Sequence, residues 1–336
     1  MRTFLAIASL AFAGCAIQSP LRETLLSGQT MGSAWTVKIA GSLPATADEL
    51  RAGVQARFDA VNLALSTYRA DSALSRFNAD DTGEWIAIDP ELGEVLSYAL
   101  GLAEESGGAF DVTVGPLVNL WGFGPDPATQ RVPEVAALEA ARARVGWRKV
   151  EVDAAKRHAR KAPGVRVDLS SLGKGRGVDR VAEYLDGQGL ANYLIDLSGK
   201  LRARGVNIHR EPWRVAVESP TADATSTPAA FRPEVIALLN ESVATAGDYR
   251  RFFEIDGRHY SHIIDPRTGW PVTHGTVSAS AISVDCMQAD ALATVLIAMS
   301  PDDAIALADR RRLRALLISR DDAGFVAKRT GAWAPE

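Results

Sequence analysis

A compact group of four different polar side chains lies between His262 and Gly269. A histidine, a carboxylate, a guanidinium and a hydroxyl fall within this short stretch, and Pro266 and Gly269 are typical of a fixed turn. Histidine titrates near neutral pH, so His262 could take a proton from an attacking hydroxyl. Arg267 could bind a phosphate or pair with Asp265. We therefore expect a functional turn with His262 as the candidate general base.

A second candidate is the pair Asp290 and Thr294, in a segment whose apolar residues recur with helical spacing. Residues four apart share one face of a helix, so the carboxylate and the hydroxyl are presented together. Hard oxygen ligands of this kind suit Mg²⁺. The alternative is an exposed Asp beside a Thr that bonds back into its own helix.

The third candidate is the glycine-rich stretch from Asp168 to Gly177. We predict that a strand over Val165–Leu169 ends here and that a helix follows from about Arg176 to Leu185. Free backbone N–H groups at such a junction, together with Lys174, would suit a phosphate. No Ser or Thr follows the lysine as it does in a P-loop, so a tight loop without a ligand is an equal alternative.

The elements that must position these segments do not alternate strictly between strand and helix, which favours an α+β fold over a doubly wound parallel sheet. Two helix starts carry strong signals. Thr46–Glu49 fits a capping box, and Asp89-Pro90 fits an N-cap followed by proline at the first helical position. The predicted helices are Thr46 to about Leu65, Pro90 to Gly107-Gly108, Pro133 to Gly146, Met287 to Met299, and one that opens at Ser300-Pro301.

The predicted strands are short and rich in β-branched and aromatic residues. Asp256-Gly257 between two such runs predicts a hairpin with a tight turn. The stretch Ser219–Pro228 is rich in Thr, Ala, Ser and Pro and is expected to be a surface loop. Besides Val165–Leu169, the predicted strands are Trp35–Ile39, Tyr193–Leu197, Trp213–Val217, Arg251–Ile255, His259–Ile264 and Arg314–Ser319.

Composition limits the function classes. The chain has 336 residues, 47% of them hydrophobic, enough for one large domain or two modest ones. Its net charge of −4 argues against nucleic acid as a partner, because a surface that binds the phosphate backbone is usually basic.

The N-terminus has the pattern of an exported lipoprotein. Arg2 precedes an apolar run that is far shorter than the ~20 residues of a membrane span, which is typical of a signal peptide. Phe12-Ala13-Gly14-Cys15 is similar to a lipobox, although Leu is usual at its first position. We expect a signal peptide over 1–14, a lipid on Cys15, a tether over 15–28 and a catalytic domain over 29–330. The expected location is the bacterial cell envelope, facing the periplasm; an ordinary signal peptide with a chance Cys is the alternative.

Eight short motifs occur in a fixed order across about residues 30 to 320, and together they resemble the ApbE family, the FAD:protein FMN transferases. The resemblance implies an α+β fold with mixed and antiparallel sheets, flanking helices and an FAD site in a cleft between sub-domains. The motifs are Met31-Gly32-Ser33, Ser66-Thr67-Tyr68, Asp71-Ser72 with Asn78, Gly108 to Leu117, Asp168 to Gly177 with Asp179, Thr245 to Tyr249, His262 to Gly269, and Ala289 to Thr294.

Members of this family transfer FMN from FAD to a threonine hydroxyl of an acceptor protein and release AMP. The resemblance implies that His262 is the catalytic residue and that Mg²⁺ is held by the main-chain oxygen of Ser171 with Asp290 and Thr294. It also implies acceptor flavoproteins, such as subunits of membrane redox pumps, as partners. The residues that the resemblance assigns to FAD binding are Met31 and Tyr68 for the flavin, Ala109, Phe110 and Asp111 for adenosine or flavin, and Asp168, Lys174 and Ile263.

The sequence departs from the family pattern at two positions. Lys200 stands in Asp196-Leu197-Ser198-Gly199-Lys200 where relatives tend to have Gly-Gly-Asp or Gly-Gly-Asn, and Ala246 replaces a usual Ser. Two other functions remain open. An FAD pyrophosphatase would use water in place of the threonine, and a non-catalytic flavin-binding lipoprotein would need the pocket without the metal ligands.

Overall fold

A computed structural model describes residues 21–124, 130–217, 234–248, 251–321, 324–331 and 333. The predicted signal peptide, Cys15, the loop Ser219–Pro228 and Tyr249 lie outside these residues. No helix among the described residues is long and apolar enough to cross a membrane.

The described strands form one large sheet and three small ones, and every pairing between them is antiparallel. The strands are β1 (Glu23–Thr30), β2 (Ser33–Ala40), β3 (Ile86–Ala87), β4 (Val150–Asp153), β5 (His158–Lys161), β6 (Tyr193–Leu197), β7 (Lys200–Arg204), β8 (Trp213–Ala216), β9 (Val235–Leu238), β10 (Ser242–Gly247), β11 (Phe252–Ile255), β12 (Arg258–Ser261), β13 (Thr276–Ser283), β14 (Arg314–Asp321) and β15 (Gly324–Thr330). The large sheet has the order β1-β2-β6-β7-β10-β13-β14-β15.

Helices pack against this sheet and against one another. They are α1 (Ala47–Leu65), α2 (Ala73–Ala79), α3 (Pro90–Glu105), α4 (Gly115–Leu120), α5 (Val135–Arg142), α6 (Ser170–Gly187), α7 (Cys286–Ala298) and α8 (Pro301–Arg310). The nearly all-apolar α7 lies at the centre, between α6 on one side and β10 and β13 on the other. The α+β prediction is confirmed.

Most elements with a clear sequence signal are confirmed. Thr46 and Glu49 form the capping box of α1, with the Thr46 N–H donating to Glu49 Oε2 at 2.9 Å and the Glu49 N–H to Thr46 Oγ1 at 3.2 Å. Trp35, Val37 and Ile39 of β2 are buried, as their alternation predicts. The β11–β12 hairpin turns at Asp256-Gly257, where both residues have positive φ, the conformation that a type I′ turn requires.

The predicted strand Val165–Leu169 is wrong. Its backbone forms hydrogen bonds with a side chain instead of with a neighbouring strand. Asn78 Nδ2 donates to the Val167 carbonyl and the Val167 N–H donates to Asn78 Oδ1, both at 2.8 Å. Asp168 N–H donates to the Val112 carbonyl at 2.7 Å. The segment therefore has no partner strand, because these backbone groups form their hydrogen bonds with Asn78 and Val112 instead.

Two boundaries are also corrected. The tether was expected to reach residue 28, but Glu23–Thr30 is β1, paired along its whole length with β2 through a turn at Met31-Gly32. The glycine-rich stretch was expected to be a loop before a helix at Arg176, but α6 begins at Ser170. Gly175 and Gly177 of this helix lie so close to α7 and to Phe58 that a larger side chain would not fit without movement.

Candidate active site

One face of the large sheet opens into a cleft with two connected lobes. The His262 lobe, of about 730 Å³, is lined by Ala109–Asp111, Asp168, Thr245 and His262 among others. The Tyr68 lobe, of about 650 Å³, is lined by Met31, Ser66–Tyr68 and Asp290 among others. Five residues line both lobes and mark their junction: Ser170, Ser171, Lys174, Lys200 and Thr294. The cleft therefore fits an elongated ligand whose middle lies between two lysines.

Asp290 lies at the floor of this junction and is only 3% exposed. Its Oδ1 contacts Lys200 Nζ at 3.0 Å, and its Oδ2 accepts a hydrogen bond from the Gly175 N–H at 3.2 Å. Burial raises the pKa of this carboxyl, while Lys200, the Gly175 amide and Lys174 oppose the rise. The sequence alternative of an exposed Asp is excluded.

The position of Asp290 depends on how closely α6 and α7 pack. A Cβ at Gly175 would lie 2.6 Å from the Cys286 carbonyl oxygen and 2.7 Å from Met287 Cα, so a larger side chain would force the two backbones apart. Asp179, also on α6, accepts hydrogen bonds from the N–H groups of Cys286 and Met287, each at 2.8 Å. A carboxylate at these free amides stabilises the start of α7 and fixes its register.

The donor set at the junction fits Mg²⁺. Ser171, Asp290 and Thr294 line the Tyr68 lobe together, and a main-chain carbonyl, a carboxylate and a hydroxyl would be hard oxygen ligands. Thr294 Oγ1 also donates to the Asp290 carbonyl at 3.1 Å, which leaves its lone pairs available to a cation. No group of three or more His, Cys, Asp or Glu side chains suited to a metal occurs among the described residues.

His262 lies at the other lobe, half-buried at the end of β12. Its Nδ1 is 3.0 Å from the Arg251 carbonyl oxygen, which can only accept, so Nδ1 carries the proton and Nε2 of the neutral ring has a free lone pair. Burial lowers the pKa of His262 to about 4; the hydrogen bond to the Arg251 carbonyl opposes the shift, and the charge of Arg251 adds a smaller contribution that lowers the pKa. His262 is therefore neutral at pH 7 and able to accept a proton.

The turn that follows His262 is fixed by its own side chains. Arg267 Nε and Nη2 pair with the two carboxylate oxygens of Asp265, each at 2.9 Å, which decides between the two roles that the sequence left open for Arg267. Gly269 has φ of +80° and lies against Arg142 and Leu138, so only glycine fits without strain. Buried Trp121 donates from Nε1 to the Gly269 carbonyl at 2.9 Å and ties the turn to the core.

The residues that the family resemblance assigns to the flavin lie at the Tyr68 lobe. The Tyr68 ring is 76% exposed, so a large planar face is open to a ligand. Met31 adopts φ of +47° in the β1–β2 turn and also lines this lobe. Lys174 lies between the lobes, with Nζ 3.0 Å from Ser33 Oγ.

The remaining candidates line the His262 lobe: Ala109, Phe110, Asp111, Asp168 and Ile263. The Asp111 carboxylate is already used by the protein, since Oδ1 accepts from the Thr113 N–H and hydroxyl and Oδ2 from the Trp147 N–H at 2.9 Å. Asp168 Oδ1 accepts from the Ser170 N–H at 2.8 Å and so orders the start of α6. Both carboxylates shape the wall of the cleft.

Two contributors were not assigned a role from the sequence. Lys200 was seen only as a departure from the family pattern, and Asp179 only as part of a motif. The Ser198-Gly199 turn, with φ of +53° and +82°, was a detectable hairpin signal that would have placed Lys200 at a strand start. No sequence signal shows that this lysine meets Asp290, which is 90 residues away along the chain.

Fold and cleft together define an α+β protein with a two-lobed site for a long phosphate-bearing ligand. The profile described as the ApbE family matches residues 31–317, and the chain belongs to this family. It is 40% identical to an FAD:protein FMN transferase of Vibrio cholerae, over 100% of this chain and 99% of that protein. It is also 40% identical to an FAD:protein FMN transferase of Haemophilus influenzae, over 97% and 94%.

Solved structures agree with these sequence matches. The flavin transferase ApbE from Vibrio cholerae superposes with a TM-score of 0.85 at 38% identity, covering 94% of this chain and 99% of that one. The apo form of the flavinyl transferase ApbE from Pseudomonas stutzeri gives 0.84 at 35% identity, covering 93% and 95%.

Proposed function

We propose that this protein transfers the FMN moiety of FAD to a threonine hydroxyl of an acceptor flavoprotein and releases AMP, in a reaction that requires Mg²⁺. The observation that carries the proposal is the two-lobed cleft, in which a neutral histidine lines one lobe and a buried carboxylate with a hydroxyl lines the other. Relatives named FAD:protein FMN transferase that match along nearly the whole chain support it.

The chemistry follows from the two residue sets. The threonine oxygen of the acceptor attacks the phosphorus of the FMN half, the bond to the oxygen bridging the two phosphates breaks, and AMP leaves with that oxygen. His262 Nε2 takes the proton from the attacking hydroxyl, which its neutral state at pH 7 allows. Mg²⁺ held by Ser171, Asp290 and Thr294 would neutralise charge on the phosphate oxygens.

The residues of the junction orient FAD for this attack. Lys174 supplies positive charge between the two lobes, where the pyrophosphate of a bound dinucleotide would lie. Met31 and Tyr68 supply an apolar surface and an open ring for the isoalloxazine. Holding both reactants in register converts a bimolecular step into an effectively unimolecular one.

We also propose a cellular location and a class of partner proteins. The protein is exported and tethered to the membrane by a lipid on Cys15, facing the periplasm of the bacterial envelope, and its acceptors are subunits of membrane redox pumps. The support is the lipobox-like Phe12-Ala13-Gly14-Cys15 and the order of motifs shared with flavin transferases. Membrane fractionation of cells that express the full chain or Cys15→Ser tests the tether; an equal distribution of the two forms would refute it.

The decisive experiment incubates the protein with FAD, Mg²⁺ and a periplasmic flavoprotein acceptor, with and without EDTA. Transfer gives a flavin-fluorescent acceptor band in a denaturing gel and one AMP per labelled acceptor. FMN and AMP without a labelled band would identify an FAD pyrophosphatase instead. If neither product forms, both enzymatic functions are wrong and a flavin-binding role is left.

A further inference from the structure

Lys200 reaches the junction because of the hairpin that carries it. The turn at Ser198-Gly199 joins β6 to β7, and Leu197 pairs with Lys200 as the first register pair after the turn. The Lys200 side chain is 15% exposed and lines both lobes. Its Nζ contacts Asp290 Oδ1 at 3.0 Å and donates to the Thr245 carbonyl at 2.8 Å. An ammonium ion is therefore fixed by two oxygens on the cleft floor.

Lys200 contacts Asp290, which is the carboxylate among the three proposed metal ligands. Asp290 is buried, and a buried carboxylate requires a counter-charge and hydrogen bonds. Lys200 supplies that charge at Oδ1, and the Gly175 N–H occupies Oδ2. Mg²⁺ binds carboxylate oxygens at about 2.0–2.1 Å. A metal ion bound to Oδ1 at that distance would lie close to the Lys200 ammonium, which contacts the same oxygen. The two positive charges would repel each other strongly, because this part of the cleft is poorly solvated.

We propose that Lys200 is a built-in counter-cation of Asp290 and that a divalent metal binds only by displacing it. The inference rests on the proposed metal site. Without substrate, Lys200 and the metal compete for the same carboxylate, so this chain binds metal more weakly than it would with a neutral residue at position 200. When FAD is bound, its pyrophosphate offers the displaced ammonium a new anionic partner at the junction of the lobes.

The test measures Mn²⁺ binding to the metal-stripped full chain without FAD, by the loss of the free-ion EPR signal. Lys200→Met removes the charge and keeps most of the stem, and we expect it to bind Mn²⁺ about tenfold or more tightly than the wild type. Lys174→Met is the matched control, since it removes a nearby positive charge that influences Asp290 electrostatically. We expect this control to change affinity by less than about threefold. Equal affinity in Lys200→Met and wild type, no Mn²⁺ binding in either, or an equal gain in Lys174→Met overturns the proposal.

Thermal melting gives a second measurement. Lys200→Met leaves the Asp290 carboxylate buried without its counter-charge, so we expect a lower melting temperature without metal and a larger rise on addition of Mg²⁺ than in the wild type. Lys200→Gln, which keeps a donor for the Thr245 carbonyl, should behave in the same way and serves if Lys200→Met fails to fold. An equal Mg²⁺-induced rise in wild type and the folded variant overturns the proposal. Because neither measurement uses FAD or an acceptor, failure of flavin transfer would refute the proposed function without changing these results.

Discussion

Asp290 and the His262 turn are held by contacts of different range. Asp290 is held by groups from separate parts of the chain, Lys200 on β7 and Gly175 on α6. The turn after His262 is held by the local Asp265–Arg267 pair as well as by Trp121, which donates to the Gly269 carbonyl. Asp290 is buried, whereas His262 is half-buried and Arg267 is exposed.

This difference indicates a division of work. A buried carboxylate in a closely packed setting keeps its geometry and its charge balance, which suits the metal site proposed above. A histidine whose Nδ1 is fixed by the Arg251 carbonyl keeps its tautomer, and the lone pair of Nε2 can then accept a proton. The four predictions below test whether the two regions are separable in this way.

The largest effect is expected from Asp290→Asn. The amide keeps the shape and can still accept from the Gly175 N–H, but the negative charge is lost. Losing metal-based charge stabilisation worth several kcal/mol should lower the rate of FMN transfer by about 10³-fold or more. The rate is measured by AMP release under saturating FAD and Mg²⁺. A variant that melts like the wild type and retains a tenth of its rate would remove Asp290 from the metal site.

His262→Ala should lower the transfer rate by roughly 10²–10⁴-fold, the usual contribution of a general base, with little change in FAD affinity. Stopped-flow rates and fluorescence titration with FAD separate the two quantities. His259→Ala is the matched control, because His259 lies on β12 three residues before His262, stacks on Phe252 and lines neither lobe. Equal losses of rate and FAD affinity in His262→Ala would contradict a role as base.

Gly175→Ala should destabilise the protein by about 1–3 kcal/mol, because the added methyl meets the α7 backbone and overpacks a rigid contact. Gly173→Ala is the control two residues away on the same helix, where nothing lies within 4 Å of the new Cβ. It should be neutral or stabilising by up to about 1 kcal/mol, since Ala favours helix over Gly. Urea denaturation measures both; the same change in both variants would refute close helix packing as the reason for Gly175.

The smallest effect concerns pH. Burial disfavours the charged imidazolium and lowers the pKa of His262 to about 4, so the base form is lost only as pH falls towards that value. Between pH 7.5 and 5.5 we expect kcat/KM for FAD to change less than about twofold, where a histidine of pKa near 6.5 would lose about tenfold. NMR titration of the imidazole signal missing in His262→Ala checks the group directly. A midpoint near 6.5 would show that the ring is not desolvated.

Much of the fold could be predicted because its signals are local. The capping box at Thr46, the Asp256-Gly257 turn and the spacing of apolar residues in α7 are set by neighbours a few residues away. The strand predicted over Val165–Leu169 was wrong because the prediction used only this local pattern. Its apolar alternation is that of a strand, but Asn78 supplies the bonds that a partner strand would have made.

The sequence by itself determined the chemical groups: a histidine, a carboxylate and a guanidinium in one turn, a carboxylate and a hydroxyl on one helix face, and a motif order that indicates a flavin transferase. Those properties depend on residue type and short spacing, which the sequence states directly. Only the tertiary structure decided that Gly175 of α6 serves close packing against α7, that Asp290 is buried, and that Lys200 contacts it. Contacts between distant residues depend on which surfaces pack together. Burial at such a contact makes a carboxylate such as Asp290 require a counter-charge, and a local sequence pattern does not show which residue supplies it.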